Sequence, residues 1–345
     1  PPYVVYTEGS GNYTIDRSYK TMTCANLYAY CIERSHYLIN GGGRFGMIVP
    51  NSCISANKML PVQRIISDHK RCWVSNYSWR PSKLFEGANM LLAIILNAPS
   101  ESTVVMATIY HRWYNEYRDS LFATIHYTNV SDVMIDGSIP KMPSVVASQI
   151  INKMYLMADG HILPEIFGLF SSYRLYYFRA VLYWFKVLDQ APIFKEDGVD
   201  KATGEMKPIY FDNNNLKNAV IAILSSNTFF LNYVIWSSCQ VVNSRDFNIP
   251  IDVNSISKDD FKHLVSIGEK LQDDYQKNSL TKERHYSKKG RSFTMLKQYF
   301  YIKYSKSTID EIDKILAQYY NFTDEELDFI INYDIKYRMG DELND

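Results

Sequence analysis

The stretch that most constrains the fold is "NLYAYCIERSHYLINGGGRFGMIVPNS", residues 26–52, a helical pattern that meets three glycines and leaves them as a strand. Over 24–39, Leu27, Tyr30, Cys31 and Leu38 fall near one face of a helix. That helix is expected to stop at Asn40-Gly41-Gly42-Gly43, with glycine taking the left-handed turn other residues resist. Phe45–Val49 then reads as a short, fully buried strand ended by Pro50. A second helix is predicted over about 55–68, followed by apolar or alternating runs at Trp73–Trp79, Met90–Leu96 and Val104–Tyr110. Helices interleaved with strands, then paired strands, read as the closing half of an open α/β sheet. The opening half is expected to precede Pro1, since the chain starts without an initiator methionine.

With 345 residues, 46% hydrophobic and 21% charged, the chain is long enough for two domains and has ample core. Lys+Arg and Asp+Glu balance at 37 each, so net charge says nothing about partners. Apolar runs such as Leu91–Leu96 are far too short to span a bilayer, and no membrane partner is expected. Cys24, Cys31, Cys53, Cys72 and Cys239 are scattered and never form a C-x-x-C pair, which points to a reducing, cytoplasmic setting. The seven histidines are equally dispersed, without H-E-x-x-H, and no metal site is expected. The unusual total is aromatic, 28 Tyr and 17 Phe, a composition that suits both cores and nucleic-acid surfaces.

Residues 131–143, with Asp136-Gly137-Ser138-Ile139-Pro140 and Pro143, read as a linker. Beyond it, 195–208 ("KEDGVDKATGEMKP") reads as an exposed polar loop and 218–236 as the strongest helical core pattern. The tail carries two capping boxes, Thr308-Ile309-Asp310-Glu311 and Thr323-Asp324-Glu325-Glu326, with Phe322 and Leu327 placed for a hydrophobic staple. Ile312, Ile315, Leu316 and Tyr319 give the first of two helices its apolar stripe; Leu327, Ile330, Ile331 and Ile335 give the second. The expected division is thus 1–130 for the α/β part, 131–306 for an α+β domain and 307–345 for a C-terminal α-hairpin.

Charge is polarised across that last junction. Between 277 and 306, nine cations face Glu283 alone; from 307 onward, eleven acids face Lys314, Lys336 and Arg338. The basic stretch interleaves aromatics, so Lys282, Arg284, Lys288, Lys289 and Arg291 are candidate phosphate contacts, against the alternative of a solvated basic face offsetting the acidic tail. Gly41-Gly42-Gly43-Arg44-Phe45-Gly46 matches G-x-G-x-x-G but precedes a strand instead of opening a helix, so it reads as a turn. Asp197, Asp200 and Glu205-Met206-Lys207 have the order of a metal-dependent nuclease site but fall in the polar loop. Pro1-Pro2-Tyr3 is different. A proline pair lacks two N–H donors and leaves carbonyls free to accept an amine's hydrogens, and the tyrosine behind it can stack on a flat ring.

Taken in order, Pro1-Pro2-Tyr3, the 26–52 stretch and "LFEGANMLLAIIL" (84–96) resemble the γ-arranged adenine-N6 DNA methyltransferases of restriction-modification systems. That family carries Asn-Pro-Pro-Tyr, a "GGRxGxIVP" strand and a later "LF-x-x-A" segment, followed by a target-recognition domain. Asn218–Pro250 and the ending 307–340 resemble the corresponding parts of large methylases with a fused restriction nuclease. The resemblance implies the C-terminal half of a Rossmann-like methyltransferase sheet. It implies S-adenosylmethionine as methyl donor in the parent enzyme, Mg²⁺ for any fused nuclease, and double-stranded DNA as partner. The Pro1 carbonyl would hold the adenine amino hydrogens, Tyr3 would stack on the flipped base, and Phe85 would close the pocket. Arg245, in the recognition-like stretch, becomes a candidate base reader.

The motif's Asn and the upstream cofactor motif are missing from this sequence. The chain alone is therefore expected neither to bind the cofactor appreciably nor to methylate DNA, and calorimetry that detected micromolar cofactor binding would refute this. Two other readings stay open: a non-catalytic DNA-recognition module, and an Asn-Pro-Pro-Tyr methyltransferase acting on protein glutamine or RNA.

Overall fold

The computed structural model describes residues 2–7, 9, 13–288 and 290–340; Pro1, Lys289 and the Lys288 side chain lie outside the described residues. The chain divides into two units, Pro1–Asn152 with Val234–Cys239, and Lys153–Tyr233 with Gln240–Asp345. The fold is mixed α/β, with three sheets among the described residues.

In the first unit α1 spans Leu27–Leu38, β1 Phe45–Pro50, α2 Ser52–Ser55, α3 Leu60–Ser67, β2 Lys70–Tyr77, β3 Leu92–Pro99, β4 Val104–His111 and β5 Thr128–Asn129. The five strands form one sheet in the order β1-β3-β2-β4-β5. β3 lies antiparallel to both β1 and β2, so those two run parallel to each other, and β4 adds parallel to β2. A connection between parallel strands must cross over, and α2 and α3 make that crossover. The register puts Phe45, Val49, Ala93, Ile95, Cys72 and Val74 on one buried face. His36 of α1 packs on Phe45 at 4.7 Å between ring centroids, and Asn97 donates to the Ile66 carbonyl of α3.

Two expectations about the glycines and β1 need correction. None of Gly41, Gly42 and Gly43 has a positive φ. Ile39 ends α1 in an extended conformation, and the Gly43 amide closes the turn onto the Asn40 carbonyl. Gly43 serves close approach: a Cβ there would fall 2.2 Å from Ile39 Cγ2. Nor is β1 fully buried, because it pairs only with β3 among the described residues and its second face is partly open. Residues Ser138–Met142, in the segment read as a linker, are buried, and Lys141 donates its Nζ to the carbonyls of Ile235 and Ser237.

Helices α4 (Val145–Ala158) and α6 (Asn227–Trp236) contribute residues to both units. The second unit holds β6 (Arg174–Phe178), β7 (Val187–Leu188), β8 (Phe194–Glu196), β9 (Val199–Asp200), β10 (Met206–Tyr210) and α5 (Asn214–Ser225). It continues with α7 (Lys258–Lys277), β11 (Ser279–Lys288), β12 (Arg291–Phe300), α8 (Lys306–Tyr320), α9 (Asp324–Asn332) and α10 (Ile335–Arg338). Residues 195–208 are therefore not a loop: Asp197 and Gly198, at φ 50° and 81°, turn the β8–β9 hairpin, and Met206 opens β10. Asp-Gly tolerates the left-handed conformation such a turn requires. The remaining strands make a three-stranded sheet, β10-β6-β7, and a four-stranded one, β11-β12-β8-β9.

The core pattern at 218–236 is two helices bent by 65° at Ser226, and no single helix among the described residues is long and apolar enough to cross a membrane. Asp313 of α8 caps the second of them. Its carboxylate accepts from the Asn227 and Thr228 amides at 3.0 and 2.8 Å and from both side chains. Gly268 of α7 lets α5 approach so closely that a Cβ would lie 2.1 Å from the Asn218 carbonyl oxygen.

In the tail, Thr323 caps α9 as the sequence predicts, but Thr308 caps nothing. Helix α8 begins two residues earlier, and the Thr308 hydroxyl instead donates to Asp274. Tyr320, not Tyr319, completes the buried stripe of α8. A third short helix, α10, extends the expected hairpin. Its Arg338 is buried between the rings of Trp184 and Phe230, at 3.9 and 4.4 Å.

Candidate functional site

Two places in the fold gather the residues singled out by sequence, one in each unit. The first is an open cleft of about 630 Å³ on the second face of the five-stranded sheet, lined by Tyr3, Gly46, Met47, Ile48, Phe85, Ile94 and Leu96. Tyr3 is held at its rim because its hydroxyl donates to the Ile48 carbonyl at 2.8 Å, on the free edge of β1. The backbone behind Tyr3 is pinned as well: Leu27 donates to Val4, and Tyr6 to Ala25. Partial burial pushes the Tyr3 phenol above its ordinary pKa, so it stays neutral and keeps that donor.

Phe85 reaches the cleft because its neighbour is anchored. Leu84 packs into a core of Tyr77, Leu92, Trp113 and Leu121, while Phe85 remains 44% exposed. Arg118 secures the approach, its guanidinium donating to the carbonyls of Lys83 and Leu84 at 2.9 and 2.7 Å. Sequence reasoning missed Arg118, since a single arginine in a polar stretch carries no pattern. Pro2 is exposed. The structure thus brings Tyr3 and Phe85 together, while Pro1 lies outside the described residues.

The second place is the hairpin of β11 and β12. Its register sets Lys282 opposite Lys297, Arg284 opposite Met295, Tyr286 opposite Phe293 and Lys288 opposite Arg291. Directly opposed residues share a face in an antiparallel pair, so Lys282, Arg284, Tyr286, Arg291, Phe293 and Lys297 form one basic, aromatic surface, and Glu283 falls on the other. Tyr286 and Phe293 stack at 5.6 Å between centroids. Lys282 and Arg284 lie over the Tyr299 ring at 5.7 and 5.8 Å, and Arg291 over Phe293 at 5.7 Å. The signal was readable as a period-two alternation in "KERHYSK", 282–288.

No family model matches this chain, and no curated protein does. Among the solved structures that resemble the chain at low levels are two bound to DNA. The Type IIL restriction-modification enzyme MmeI in complex with DNA matches at a TM-score of 0.43 and 8% identity, over 92% of this chain and 52% of that one. The cryo-electron-microscopy structure of a DrdV–DNA complex matches at 0.34 and 9%, over 89% of this chain and 52% of that one. The chain thus spans about half the length of each. At TM-scores this low neither likeness carries an argument about function.

Arg245 belongs to neither place. It sits in the short 3₁₀ turn Ser244–Phe247, where its charge opposes the burial that pushes the Tyr155 phenol up to about 12. The acidic residues with nuclease-like spacing are engaged separately: Asp197 with Arg291, Asp200 with Lys195, and Glu205 with Lys297. Among the described residues no three His, Cys, Asp or Glu side chains gather as a metal-holding group. The Gly41–Gly43 turn feeds a strand, so its amides do not open a helix as a nucleotide-cradling turn would. That turn does not fit a seat for S-adenosylmethionine.

Proposed function

We propose that the chain is the base-holding and DNA-recognition portion of a site-specific adenine-N6 DNA methyltransferase of a restriction-modification system. The observation that carries this reading is the convergence of Tyr3 and Phe85, distant in sequence, on one cleft beside the free edge of β1. Its volume of about 630 Å³ lies within the range of small-molecule pockets, and a purine is a small, flat occupant. The strand order supports the Rossmann-like reading of the first unit, because β1 and β2 run parallel through a helical crossover.

In this reading an extruded adenine stacks on Tyr3 and is closed in by Phe85. Stacking is worth roughly 1–3 kcal/mol per base, enough to offset much of the few kcal/mol that extrusion costs. The Pro1 carbonyl and the asparagine of the family motif take the amino hydrogens, turning the nitrogen lone pair toward the methyl donor. S-adenosylmethionine supplies the methyl group when bound by parts of the enzyme beyond the described residues. The β11–β12 hairpin contacts the duplex, since a two-stranded ribbon fits the major groove. That ribbon also favours the second reading, a recognition module that binds DNA without modifying it.

Sequencing host DNA for N6-methyladenine, with and without the full-length gene, tests the first reading. The expected result is methylation at one recurring sequence, lost in Tyr3→Ala and Phe85→Ala. Unmodified adenine throughout, with intact DNA binding, would favour the recognition module.

A further inference from the structure

The basic face of the β11–β12 ribbon is not uniformly available. Arg291 reaches Glu196 at 2.9 Å and Asp197 at 3.3 Å, and Lys297 reaches Glu205 at 3.1 Å. Glu196 stands opposite Met295 across the β8–β12 pairing, on the same sheet face as the cations. Asp197 is fixed further by accepting the Thr294 amide at 2.8 Å, and that bond, together with Arg291, holds its carboxyl below the usual range. Lys282 and Arg284, by contrast, have no carboxylate partner among the described residues; both lie over Tyr299. One face therefore carries two kinds of cation.

These pairs are poor candidates for stability devices. Each pair keeps one member largely exposed, Arg291 at 66% and Glu205 at 64% against 27% for Glu196 and 24% for Lys297, and pairs open to solvent on one side contribute about 0–1 kcal/mol. The carboxylates do, however, occupy positions phosphate oxygens would take: one oxygen each from Glu196 and Asp197 at a single guanidinium nitrogen of Arg291, and one from Glu205 at the Lys297 ammonium. We propose that Glu196, Asp197 and Glu205 act as built-in competitors for DNA phosphate. In this scheme Lys282 and Arg284 make the standing phosphate contacts, and Arg291 and Lys297 join only where a backbone displaces their carboxylates. The inference rests on the reading that this ribbon contacts duplex DNA, and it makes the ribbon's grip weaker and less salt-sensitive than its number of cations implies.

The test is the salt dependence of binding to a short, fluorescently labelled, mixed-sequence duplex, with far-UV circular dichroism and melting to confirm folding. Each phosphate neutralised steepens the log–log slope by about 0.9. Glu205→Gln is expected to steepen it by about 0.9, and Glu196→Gln with Asp197→Asn by another 0.9 or so, both with tighter binding. Asparagine at 197 tolerates the left-handed backbone there, and Glu205→Gln alone carries the test if the double variant melts early. Lys282→Gln with Arg284→Gln is expected to flatten the slope by roughly 1.8. If the carboxylate variants leave the slope unchanged while the Lys282/Arg284 variant flattens it, the competition is overturned and the ribbon stands as the DNA face. If no variant moves the slope of a chain that binds, the competition is overturned and contact lies elsewhere. If the unmodified chain does not bind DNA at all, both this inference and the reading beneath it fall.

Discussion

Lys282 and Lys297 stand directly opposite each other across the β11–β12 hairpin, like charge beside like charge. Opposed like charges destabilise a ribbon, whereas opposite charges there contribute roughly 0.2–1 kcal/mol. Glu205, 3.1 Å from Lys297, relieves part of that repulsion and leaves Lys282 without a carboxylate partner among the described residues. Lys282→Glu is therefore expected to stabilise the hairpin by about 0.5 kcal/mol, seen as slower amide exchange along β11, while weakening DNA binding. A variant that lost both hairpin stability and DNA affinity would contradict this trade.

The convergence on the cleft makes a second expectation. Phe85→Ala should leave melting almost unchanged, because Phe85 is 44% exposed and Leu84 anchors its loop. Arg118→Ala should loosen the same loop from a distance by freeing the Lys83 and Leu84 carbonyls. Limited proteolysis near 83–88 should therefore accelerate in Arg118→Ala and not in Phe85→Ala. Equal rates would mean that Arg118 does not hold the loop.

Much of this was legible in sequence, for physical reasons that can be named. The helix–glycine–strand order at 26–52 was readable because periodicity changes from 3.6 to 2 across a breaker. The insertion of β3 between β1 and β2 was not, since pairing partners are set by packing far along the chain. Residues 195–208 read as a loop on polarity, yet Asp197-Gly198 was a hairpin signal in its own right. Thr308 misled because a capping box has the same letters inside a helix as at its start. Tyr3 and Phe85 could be paired only through a family resemblance; nothing in their spacing brings them together.

The capping of α6 by Asp313 predicts a large stability effect from a residue that belongs to neither site. Asp313→Ala would leave the Asn227 and Thr228 amides buried without their acceptor, at about 1–3 kcal/mol for each group stranded. Burial already pushes the Asp313 carboxyl above its ordinary pKa, against the four hydrogen bonds that favour its charge. Asp313→Asn keeps the acceptor oxygen and should recover part of the loss. Urea denaturation of the two variants checks the order, and an alanine variant as stable as the parent would remove the cap from the account.

Gly268 offers a cleaner steric test. A methyl there meets backbone, the Asn218 carbonyl at 2.1 Å, so α5 and α7 must separate to admit it. Overpacking of this kind costs about 1–3 kcal/mol, which outweighs the roughly 1 kcal/mol that alanine gains over glycine in a helix. Gly268→Ala should therefore lower the melting temperature although its helix propensity rises. A higher melting temperature would show that the two helices are not in contact there.

The last expectation concerns acid. His111 stacks on Tyr77 at 5.5 Å, and burial, aided by the charge of His126, pushes its pKa from 6.5 to about 4. In the unfolded chain the same imidazole takes up a proton below about 6.5. Between those two values the unfolded state binds more protons, so stability falls as pH falls through that window. Above pH 6.5 the contribution is complete, and by pH 5 about 2 kcal/mol should be gone. Urea denaturation at pH 7.5 and pH 5 reads this directly, and His111→Gln, which cannot titrate, should show a correspondingly smaller drop. If the parent and His111→Gln lose the same stability over that interval, the acid sensitivity belongs to other groups and His111 is not its source.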